Sequence, residues 1–384
     1  MLVYLDNSAT TPPYKEVTQT VTECHDDNYG NPSSLHRMGM KAEKAVKAAR
    51  KIICTSLKAE KNEFFFTSGG TESNNTAVFG AVDTLKRYGD RIITSSVEHP
   101  SILNVCKALE KKGFDVKYLN VNDKGRIDIN QLNEYYNDKT ILISVMHVNN
   151  EMGTVQPIEE IAGYKKKNEK VLFHVDAVQS YGKIEVFPGN TGIDLLSVSA
   201  HKLHGPKGIG GLYINRKVNI PPLMFGGQQE NMIRSGTENV PGIAGFGKAV
   251  ELSFSEFQNR IKRTRKVKEY LTEGIKNAIK DIRINSYEDQ RCAPHIVNIS
   301  FAGVRGEVLL HMLEQADIYI STGSACSAKK RAKSHVLKAS GLSDTEIDGA
   351  VRFSFSEFNS IDQMDYVLEH LKESVERIRK IMRK

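Results

Sequence analysis

Hydrophobic residues follow two alternating patterns between residues 63 and 215. Short apolar runs predict strands over residues 63–67, 91–97, 115–121, 141–148, 171–175, 195–199 and 208–214. Between these runs, apolar residues recur at helical spacing over residues 72–88, 101–112 and 158–167. Alternation of strands and helices is typical of an α/β domain whose largely parallel sheet is covered by helices on both faces.

The pattern changes near residue 242. One long helical pattern runs over residues 242–278, and apolar runs then predict strands over residues 282–285, 296–301, 318–321 and 351–355. A last helix is predicted to begin at Ser360, because Gln363 completes a capping box three positions later. We therefore predict a large α/β domain over residues 15–255 and a smaller α+β domain formed by residues 1–14 and 256–384.

Composition narrows the class of protein. The chain has 384 residues, of which 40% are hydrophobic and 26% charged, as in an ordinary globular protein. No apolar stretch approaches the roughly 20 residues needed to cross a bilayer, and residues 1–6 lack the features of a signal peptide. We therefore expect a cytoplasmic protein without a membrane partner. Basic clusters over residues 260–268, 329–333 and 377–384 fit solvated helix faces, or a surface that meets an acidic protein or RNA.

The five cysteines show no paired spacing, so neither a zinc knuckle nor a thioredoxin-like pair is indicated. Cys106 lies on the apolar side of a predicted helix and is expected to behave as a small hydrophobic residue. Cys326 differs, because small residues surround it and Lys329 and Lys330 follow it. Small residues permit a mobile loop, and nearby cations favour the thiolate. Taken alone, however, this motif fits an inert cysteine in a polar loop better.

A glycine-containing motif, Thr-Ser-Gly-Gly-Thr-Glu-Ser-Asn-Asn, occupies residues 67–75 between a predicted strand and a predicted helix. Glycines let the backbone approach an anion, and the first turn of a helix offers unpaired N–H groups and a positive dipole end. The motif lacks the Walker lysine and the dinucleotide-binding glycine spacing. A phosphate-binding turn and an ordinary helix N-cap are therefore both open at this position.

An acid and a lysine follow two neighbouring predicted strands. Asp176 ends the strand at the edge where open α/β sheets bind ligands, where it could pair with a protonated ring nitrogen or cap the strand. Lys202 closes another buried strand beside glycine-rich turns, and desolvation makes an amine nucleophilic, as Schiff-base chemistry requires. This pair matches the demands of pyridoxal phosphate. A metal site remains an alternative, with the candidate ligands His174, Asp176, His201 and His204.

One arginine, Arg352, interrupts the apolar run Val-Arg-Phe-Ser-Phe at residues 351–355. Its guanidinium could bind a substrate carboxylate through two parallel hydrogen bonds. A structural ion pair would also account for an arginine on a buried strand. The run by itself leaves both interpretations open.

Together, these motifs resemble the cysteine desulfurases of the NifS/IscS type, within the fold-type-I, class V aminotransferase-like pyridoxal-phosphate enzymes. The likeness runs nearly end to end and includes residues 4–12, 30–36, 96–101, 146–153, 234–239 and 295–301. It implies an α/β fold-type-I transferase, with a large domain whose mostly parallel mixed sheet lies between helices, plus a smaller α+β domain. It also implies removal of sulfur from L-cysteine, which gives L-alanine and a persulfide on Cys326.

The resemblance further implies how pyridoxal phosphate is held. Lys202 would attach the cofactor as a Schiff base and move the substrate's α-proton, and Asp176 would pair with the pyridine nitrogen. His99 would stack on the ring and Gln179 would contact the phenolic oxygen. Phosphate-binding positions would be Gly70, Thr71, Ser199 and His201, joined by Thr237 from the second subunit of a homodimer. No metal is implied.

Substrate and partners follow from the same resemblance. Asn150 and Arg352 would receive the carboxylate of L-cysteine, helped by Asn31. Asn150 would also contact the cofactor. The sulfur acceptor would be an iron–sulfur scaffold or a tRNA-thiolating enzyme, and the basic loop at residues 329–333 leads us to favour the latter. No direct contact with nucleic acid is expected. A selenocysteine lyase, another lyase or a transaminase would share the cofactor site without depending on Cys326.

Overall fold

The computed structural model describes residues 1–165, 168, 170–323 and 333–382. Its strands, in chain order, are β1 Val3–Tyr4, β2 Phe64–Thr67, β3 Arg91–Ser95, β4 Asp115–Leu119, β5 Thr140–Met146, β6 Leu172–Asp176, β7 Leu195–Ser199, β8 Gly210–Ile214, β9 Ile282–Ile284, β10 Ile296–Phe301, β11 Ile318–Tyr319 and β12 Ala350–Ser354. Each predicted strand is present, with ends shifted by a few residues.

The helices alternate with the strands in the first half of the chain. They are α1 Lys15–Asp27, α2 Arg37–Leu57, α3 Gly70–Leu85, α4 Pro100–Glu110, α5 Ile129–Tyr135, α6 Ile158–Lys165, α7 Pro188–Thr191, α8 Val240–Ser255, α9 Phe257–Ala278, α10 Gly306–Glu314, α11 His335–Ala339, α12 Asp344–Asp348 and α13 Ile361–Met382. In the described part of the chain, none of them is long and apolar enough to cross a membrane.

A seven-stranded sheet with the order β2-β8-β7-β6-β5-β3-β4 forms the centre of the fold. Strand β8 is antiparallel to both of its neighbours, and the other pairings are parallel. Alternating side chains point to opposite faces: Phe64 and Phe66 pack with α2 and α8, whereas Phe65 packs with α3 and α4. Helices therefore cover both faces, which confirms the predicted fold class. Cys106 lies buried among the apolar residues of the second face, as predicted.

A three-stranded antiparallel sheet, ordered β12-β10-β9, forms a second region with its own apolar cluster. Helices α9, α10 and α13 contribute to this cluster, and so do Val3 and Leu5 from the start of the chain. Strand β1 pairs in parallel with β11, and a bridge joins Asp6 to Ser354. The N-terminal residues thus reach the later part of the chain, but the domain limits at residues 15 and 256 stay a prediction.

The prediction of one long helix over residues 242–278 is wrong, because the structure has two helices there, α8 and α9. Glu256 leaves the helical conformation, with φ −123° and ψ 37°, between α8 and α9. The rings of Phe254 and Phe257 stack across the break at 5.2 Å, and Arg260 donates to the carbonyl of Ser253. That carbonyl lies in the last turn of α8, where no helical N–H follows to pair with it. The capping box at Ser360 and Gln363 is confirmed.

Candidate active site

A pocket of about 280 Å³ opens where the carboxyl ends of β2, β3, β5, β6 and β7 meet. Open α/β sheets bind ligands at this edge, because loops and helix N-termini converge there. Several strands end earlier than predicted, and the chain beyond them enters the pocket lining. The predicted site residues that line it are Gly70, Thr71, His99, Asn150, Asp176, Gln179, Ser199, His201, Lys202 and Arg352.

The glycine-containing turn after β2 places the N-terminus of α3 at this pocket. Gly69 has φ +151°, a conformation that side chains with a Cβ rarely adopt. A Cβ on Gly70 would lie 2.7 Å from a methyl carbon of Val178, so the approach of the two loops requires glycine there. The first N–H groups of a helix have no helical acceptors and attract anions. This turn can therefore receive a phosphate group.

Asp176 is held at the end of β6 by two hydrogen bonds. Its Oδ1 accepts from the backbone N–H of Val178 at 3.0 Å, and its Oδ2 accepts from Nδ2 of Asn74 at 2.7 Å. Asn74 also donates to Oγ of Ser101 at 2.8 Å, and both of these residues line the pocket. Asn74 was not among the residues predicted to form the site. A signal existed, because residues 70 and 74 are one helical turn apart and share a face.

Lys202 follows β7 in a short 3₁₀ turn, Ala200–Lys202. Its Nζ donates to the backbone carbonyls of Ser8 at 2.5 Å and Ala9 at 2.7 Å. The N-terminal segment therefore closes the pocket next to the amine. This contact could not be predicted from the sequence, because every residue type has a backbone carbonyl.

His99 and His201 both line the pocket as half-buried imidazoles. His99 caps α4, with its Nδ1 3.2 Å from the backbone nitrogen of Ser101 and 2.8 Å from the Ser101 hydroxyl. Burial lowers the pKa of His99, although the charge of Asp176 opposes this effect. Burial, aided by Lys202, lowers the pKa of His201 to about 3. His201 is therefore uncharged at neutral pH.

Arg352 forms the opposite side of the pocket from β12. Its Nη2 donates to Asp6 at 2.7 Å and its Nη1 donates to the carbonyl oxygen of Asn150 at 2.8 Å. The side chain is buried, and its Nε has no hydrogen-bond partner among the described residues. Arg352 thus makes a structural ion pair and also lines the pocket. The ion-pair interpretation is confirmed, and the binding of a substrate carboxylate stays a prediction.

Gln179 contributes an amide to the same space. Its Nε2 donates to the carbonyl of Ser8 at 2.9 Å, and its buried Oε1 has no hydrogen-bond partner within the described ranges. A buried polar atom without a partner is unfavourable, and in a ligand site it commonly pairs with the ligand. The amide is therefore available to a polar group in the pocket.

Three predicted site residues do not line this pocket. Asn31 is exposed between α1 and α2, and its Oδ1 accepts from the backbone nitrogen of Ser33. Thr237 is exposed and lines a separate pocket beside Ser68. Cys326 lies outside the described residues. The roles given to all three stay predictions.

The histidines considered as alternative metal ligands lie in different parts of the structure. His174 lies within the sheet between the hydroxyls of Ser144, at 2.8 Å, and Ser197, at 3.0 Å, and burial lowers its pKa to about 3. His204 bonds to the carbonyl of Pro12 at 2.7 Å. Over the residues that the structure describes, no group of three or more His, Cys, Asp or Glu side chains is placed to hold a metal ion. The four candidates therefore do not form one site there.

The aminotransferase class-V family model matches residues 3–367, and the chain therefore belongs to this family of pyridoxal-phosphate-dependent enzymes. It is 42% identical to the cysteine desulfurase IscS of Dictyoglomus turgidum over 379 residues, which are 99% of this chain and 96% of that relative. A solved NifS-like protein matches with a TM-score of 0.92 and 37% identity, covering 98% of this chain and all of that one. A structure of SspA in complex with cysteine matches with a TM-score of 0.82 and 37% identity, over 93% of this chain and all of SspA.

The pocket fits pyridoxal phosphate on three of its features. The turn at Gly69 and Gly70 can take the phosphate, the oriented carboxylate of Asp176 can take a protonated ring nitrogen, and Lys202 supplies the amine. The orphaned Oε1 of Gln179 adds a polar contact inside the same lining. These groups come from three separate segments, yet they face one space.

Proposed function

We infer that this chain is a cysteine desulfurase, which takes sulfur from L-cysteine, releases L-alanine and carries the sulfur as a persulfide on its own cysteine. The observation that carries this inference is the meeting of Lys202, Asp176 and Arg352 in one pocket. The first two suit the cofactor, and the third suits the carboxylate of an amino acid. Similarity to cysteine desulfurases over nearly the whole chain supports the same activity.

The sheet side of the pocket would hold and activate the cofactor. Lys202 would attach it covalently and, once released, transfer the α-proton of the substrate. Asp176, kept in place by Asn74, would favour the protonated ring nitrogen, and the uncharged ring of His99 would stack on the cofactor. Gly70, Thr71, Ser199 and His201 would bind the phosphate, and Gln179 the phenolic oxygen. When bound, pyridoxal phosphate supplies an electron sink for negative charge at the α-carbon.

The opposite side would orient the substrate. Arg352 has an unpartnered Nε among the described residues and a guanidinium fixed by Asp6 and Asn150. A fixed guanidinium binds a carboxylate with little loss of side-chain entropy. Arg352 and Asn150 would thus place the α-carbon of L-cysteine between Lys202 and the cofactor. Asn31 is proposed to assist from outside the described pocket lining.

Cys326 is proposed as the sulfur carrier, and the other four cysteines support this by their surroundings. All four are buried, and burial raises the pKa of each thiol, to about 11 for Cys54 and about 12 for Cys106. They are therefore poor sources of thiolate at neutral pH. The Cys326 thiolate would attack the substrate sulfur, so that an S–S bond forms as the C–S bond breaks. The electron pair remains on the carbon fragment, which takes up a proton to become alanine.

The enzyme is further proposed to act as a homodimer. Two segments, residues 29–40 and 223–232, border one groove. They expose large apolar side chains, among them Tyr29, Leu35, Phe225 and Met232. A second copy would cover this surface and bring its Thr237 to the phosphate. Sedimentation should give a dimer for the native protein and a monomer for Phe225→Asp. The exposed Tyr88→Asp should leave the dimer intact, and a native monomer would contradict the proposal.

We propose that the sulfur acceptor is a tRNA-thiolating enzyme, and an iron–sulfur scaffold protein is the alternative. We also propose that the enzyme is cytoplasmic. The exposed Lys262 and Lys266 on α9 and the basic sequence at residues 329–333 support an acidic partner surface. Enzyme loaded with radiolabelled cysteine sulfur should transfer the label to the thiolating enzyme faster than to the scaffold. Transfer to the scaffold alone would contradict this assignment.

The desulfurase activity is tested by sulfide release from L-cysteine in the presence of a reductant. Cys326→Ala should lose this activity and keep the yellow cofactor absorbance, because Lys202 is untouched. Cys24→Ala, which removes a buried thiol elsewhere, serves as the matched control and should retain activity. Equal activity in Cys326→Ala and the native enzyme would instead indicate a lyase that releases sulfur directly.

A further inference from the structure

A second, smaller cavity lies beside the active-site pocket and has no part in the chemistry proposed above. Lys183, from the turn after β6, and His295, just before β10, both line it, together with Arg260 and Glu357. Its volume is about 30 Å³. That is room for one or two water-sized species and too little for a phosphate ester or an amino acid.

Two of the lining side chains have buried nitrogen atoms without hydrogen-bond partners among the described residues. Nζ of Lys183 and both ring nitrogens of His295 are shielded from solvent and bond to nothing in the described part of the chain. The whole side chain of His295 is buried, with 1% of its surface exposed. Leaving such donors unpaired is costly, and native proteins rarely do so. A neutral His295 ring donates through one nitrogen, so within the described residues two unpaired donors, that N–H and Lys183 Nζ, indicate an occupant that accepts hydrogen bonds.

The other polar groups at the cavity already have partners. Glu357 receives hydrogen bonds from Arg260 and from the hydroxyl of Tyr14, and His204 bonds to the carbonyl of Pro12. The lining carboxylate is thus committed to Arg260. It leaves the ammonium of Lys183 without a counterion among the described residues.

The charges around Lys183 make the cavity electropositive. Burial lowers the pKa of Lys183 to about 7, and the nearby charges of Lys202 and Arg260 act in the same direction. Burial and the surrounding cations also hold the pKa of His295 well below its usual range. His295 is therefore neutral and has one N–H to donate. A negative species is favoured over water here, because it offsets the repulsion among these cations.

We propose that Lys183 and His295 bind one small monovalent anion, of the size of chloride, in this cavity. Hydrosulfide has the same charge as chloride and a similar size, so a halide and hydrosulfide are the two candidate ligands of this site. The site is separate from the turn at Gly69 and Gly70 that receives the phosphate. It does not depend on the desulfurase activity.

Anion binding should weaken as the pH rises through about 7, the pKa of Lys183 in the empty site. Below that pH the ammonium is charged, and above it the anion must bind together with a proton. The titratable and charged groups that face Lys183 are Lys202, Arg260, His201, His204, His295 and Glu357. All three histidines are held neutral and Glu357 is bound by Arg260, so Lys183 controls the dependence in this range.

The test uses crystals of the holoenzyme grown without halide and then soaked in bromide below pH 7. The native enzyme should give an anomalous bromide peak between Lys183 Nζ and the His295 ring, and Lys183→Met should lack it. Lys207→Met, at an exposed lysine, should keep it. Absence of the peak in native crystals would overturn the proposal, and so would its persistence in Lys183→Met. Loss of the peak on adding hydrosulfide would identify hydrosulfide as a ligand, whereas persistence would identify the halide.

A solution measurement covers the case in which Lys183→Met does not fold. At matched ionic strength, chloride should raise the Tm of the native holoenzyme relative to gluconate by on the order of 2 °C, in a saturable manner. The rise should shrink between pH 6 and 8 as Lys183 loses its charge. Equal Tm values in the two salts across this range would overturn the proposal without any variant.

Discussion

The two sides of the active-site pocket are built in different ways. On one side, which we call the sheet wall, His99, Asp176 and Lys202 each follow the carboxyl end of a strand in the seven-stranded sheet. On the other, the β12 wall, Arg352 is held by Asp6, 346 residues away in the chain. The position of the sheet-wall residues follows mainly from the order of neighbouring strands, although residues 8 and 9 also contact Lys202. The β12 wall needs the two ends of the chain to meet, so it depends on the whole fold.

The largest effect should come from removing the amine of the sheet wall. We expect Lys202→Ala to lower sulfide release by about 10,000-fold or more, since proton transfer alone contributes about 100- to 10,000-fold. The covalent cofactor absorbance should vanish as well. Lys207→Ala, at an exposed lysine five residues later, should change neither. Native absorbance and activity in Lys202→Ala would mean that the sheet wall does not carry the cofactor chemistry.

A buried carboxyl group beneath the sheet wall should make stability depend on pH. Glu98 precedes His99, accepts hydrogen bonds from Ser95 and Met146, and has a pKa raised by burial to about 8. The folded state therefore keeps the proton that the unfolded chain releases near pH 4.5, and stability falls as the pH rises between these values. By pH 9 the loss should be on the order of 5 kcal/mol, at about 1.4 kcal/mol per pKa unit.

Glu98→Gln should remove most of this dependence, because the amide cannot ionise and keeps a carbonyl acceptor. Its unfolding free energy, from denaturant titrations at pH 5 to 9, should exceed that of the native protein at the upper end. Glu110→Gln, at an exposed position on α4, is the control and should follow the native curve. Parallel curves for native and Glu98→Gln would show that the carboxyl group is not held protonated.

The difference between the walls also explains which parts could be predicted from sequence. Strand–helix alternation predicts the large sheet, and each polar residue after a buried strand then falls at the same edge, as Asp176 and Lys202 do. The break at Glu256 could not be predicted, because the apolar pattern of α8 and α9 continues across it. What stops the helix is the stacking of Phe254 on Phe257 and the bond from Arg260.

Contacts made by backbone atoms or by distant segments could not be predicted from the sequence either. Residues 8 and 9 approach Lys202 through their carbonyl oxygens, and any residue type offers such an acceptor. The pairing of Arg352 with Asp6 requires a register that no local pattern contains. The buried lysine at position 183 resembles a surface residue in sequence, and only packing gives it a pKa near 7.

The β12 wall should affect substrate binding more than the chemical step. Arg352→Lys keeps the charge but loses the planar guanidinium that contacts Asp6 and Asn150 together. We expect KM for L-cysteine to rise about 10- to 100-fold, the range of one or two charge-assisted hydrogen bonds, with a smaller change in kcat. Arg283→Lys, on β9 of the same sheet and paired with Glu346 at the surface, should leave KM unchanged. A decrease in kcat without a change in KM would instead indicate that Arg352 acts in the chemical step, as the sheet-wall residues are proposed to do.

The smallest effect should come from Asn74, which supports the sheet wall without being proposed to touch the substrate. Asn74→Ala removes one of the two hydrogen bonds that fix Asp176, a bond worth about 1 kcal/mol or slightly more to a charged acceptor. Affinity for pyridoxal phosphate, measured from its absorbance during titration of the apoenzyme, should fall about 5- to 10-fold. Asn75→Ala, one position further and half-buried, removes an amide that donates to the backbone carbonyls of Thr71 and Ser101 and not to Asp176, so it should not change this affinity. Since Asn74 acts through Asp176, its removal should add nothing in an Asp176→Asn background, and an additive loss would give Asn74 a separate contact with the cofactor.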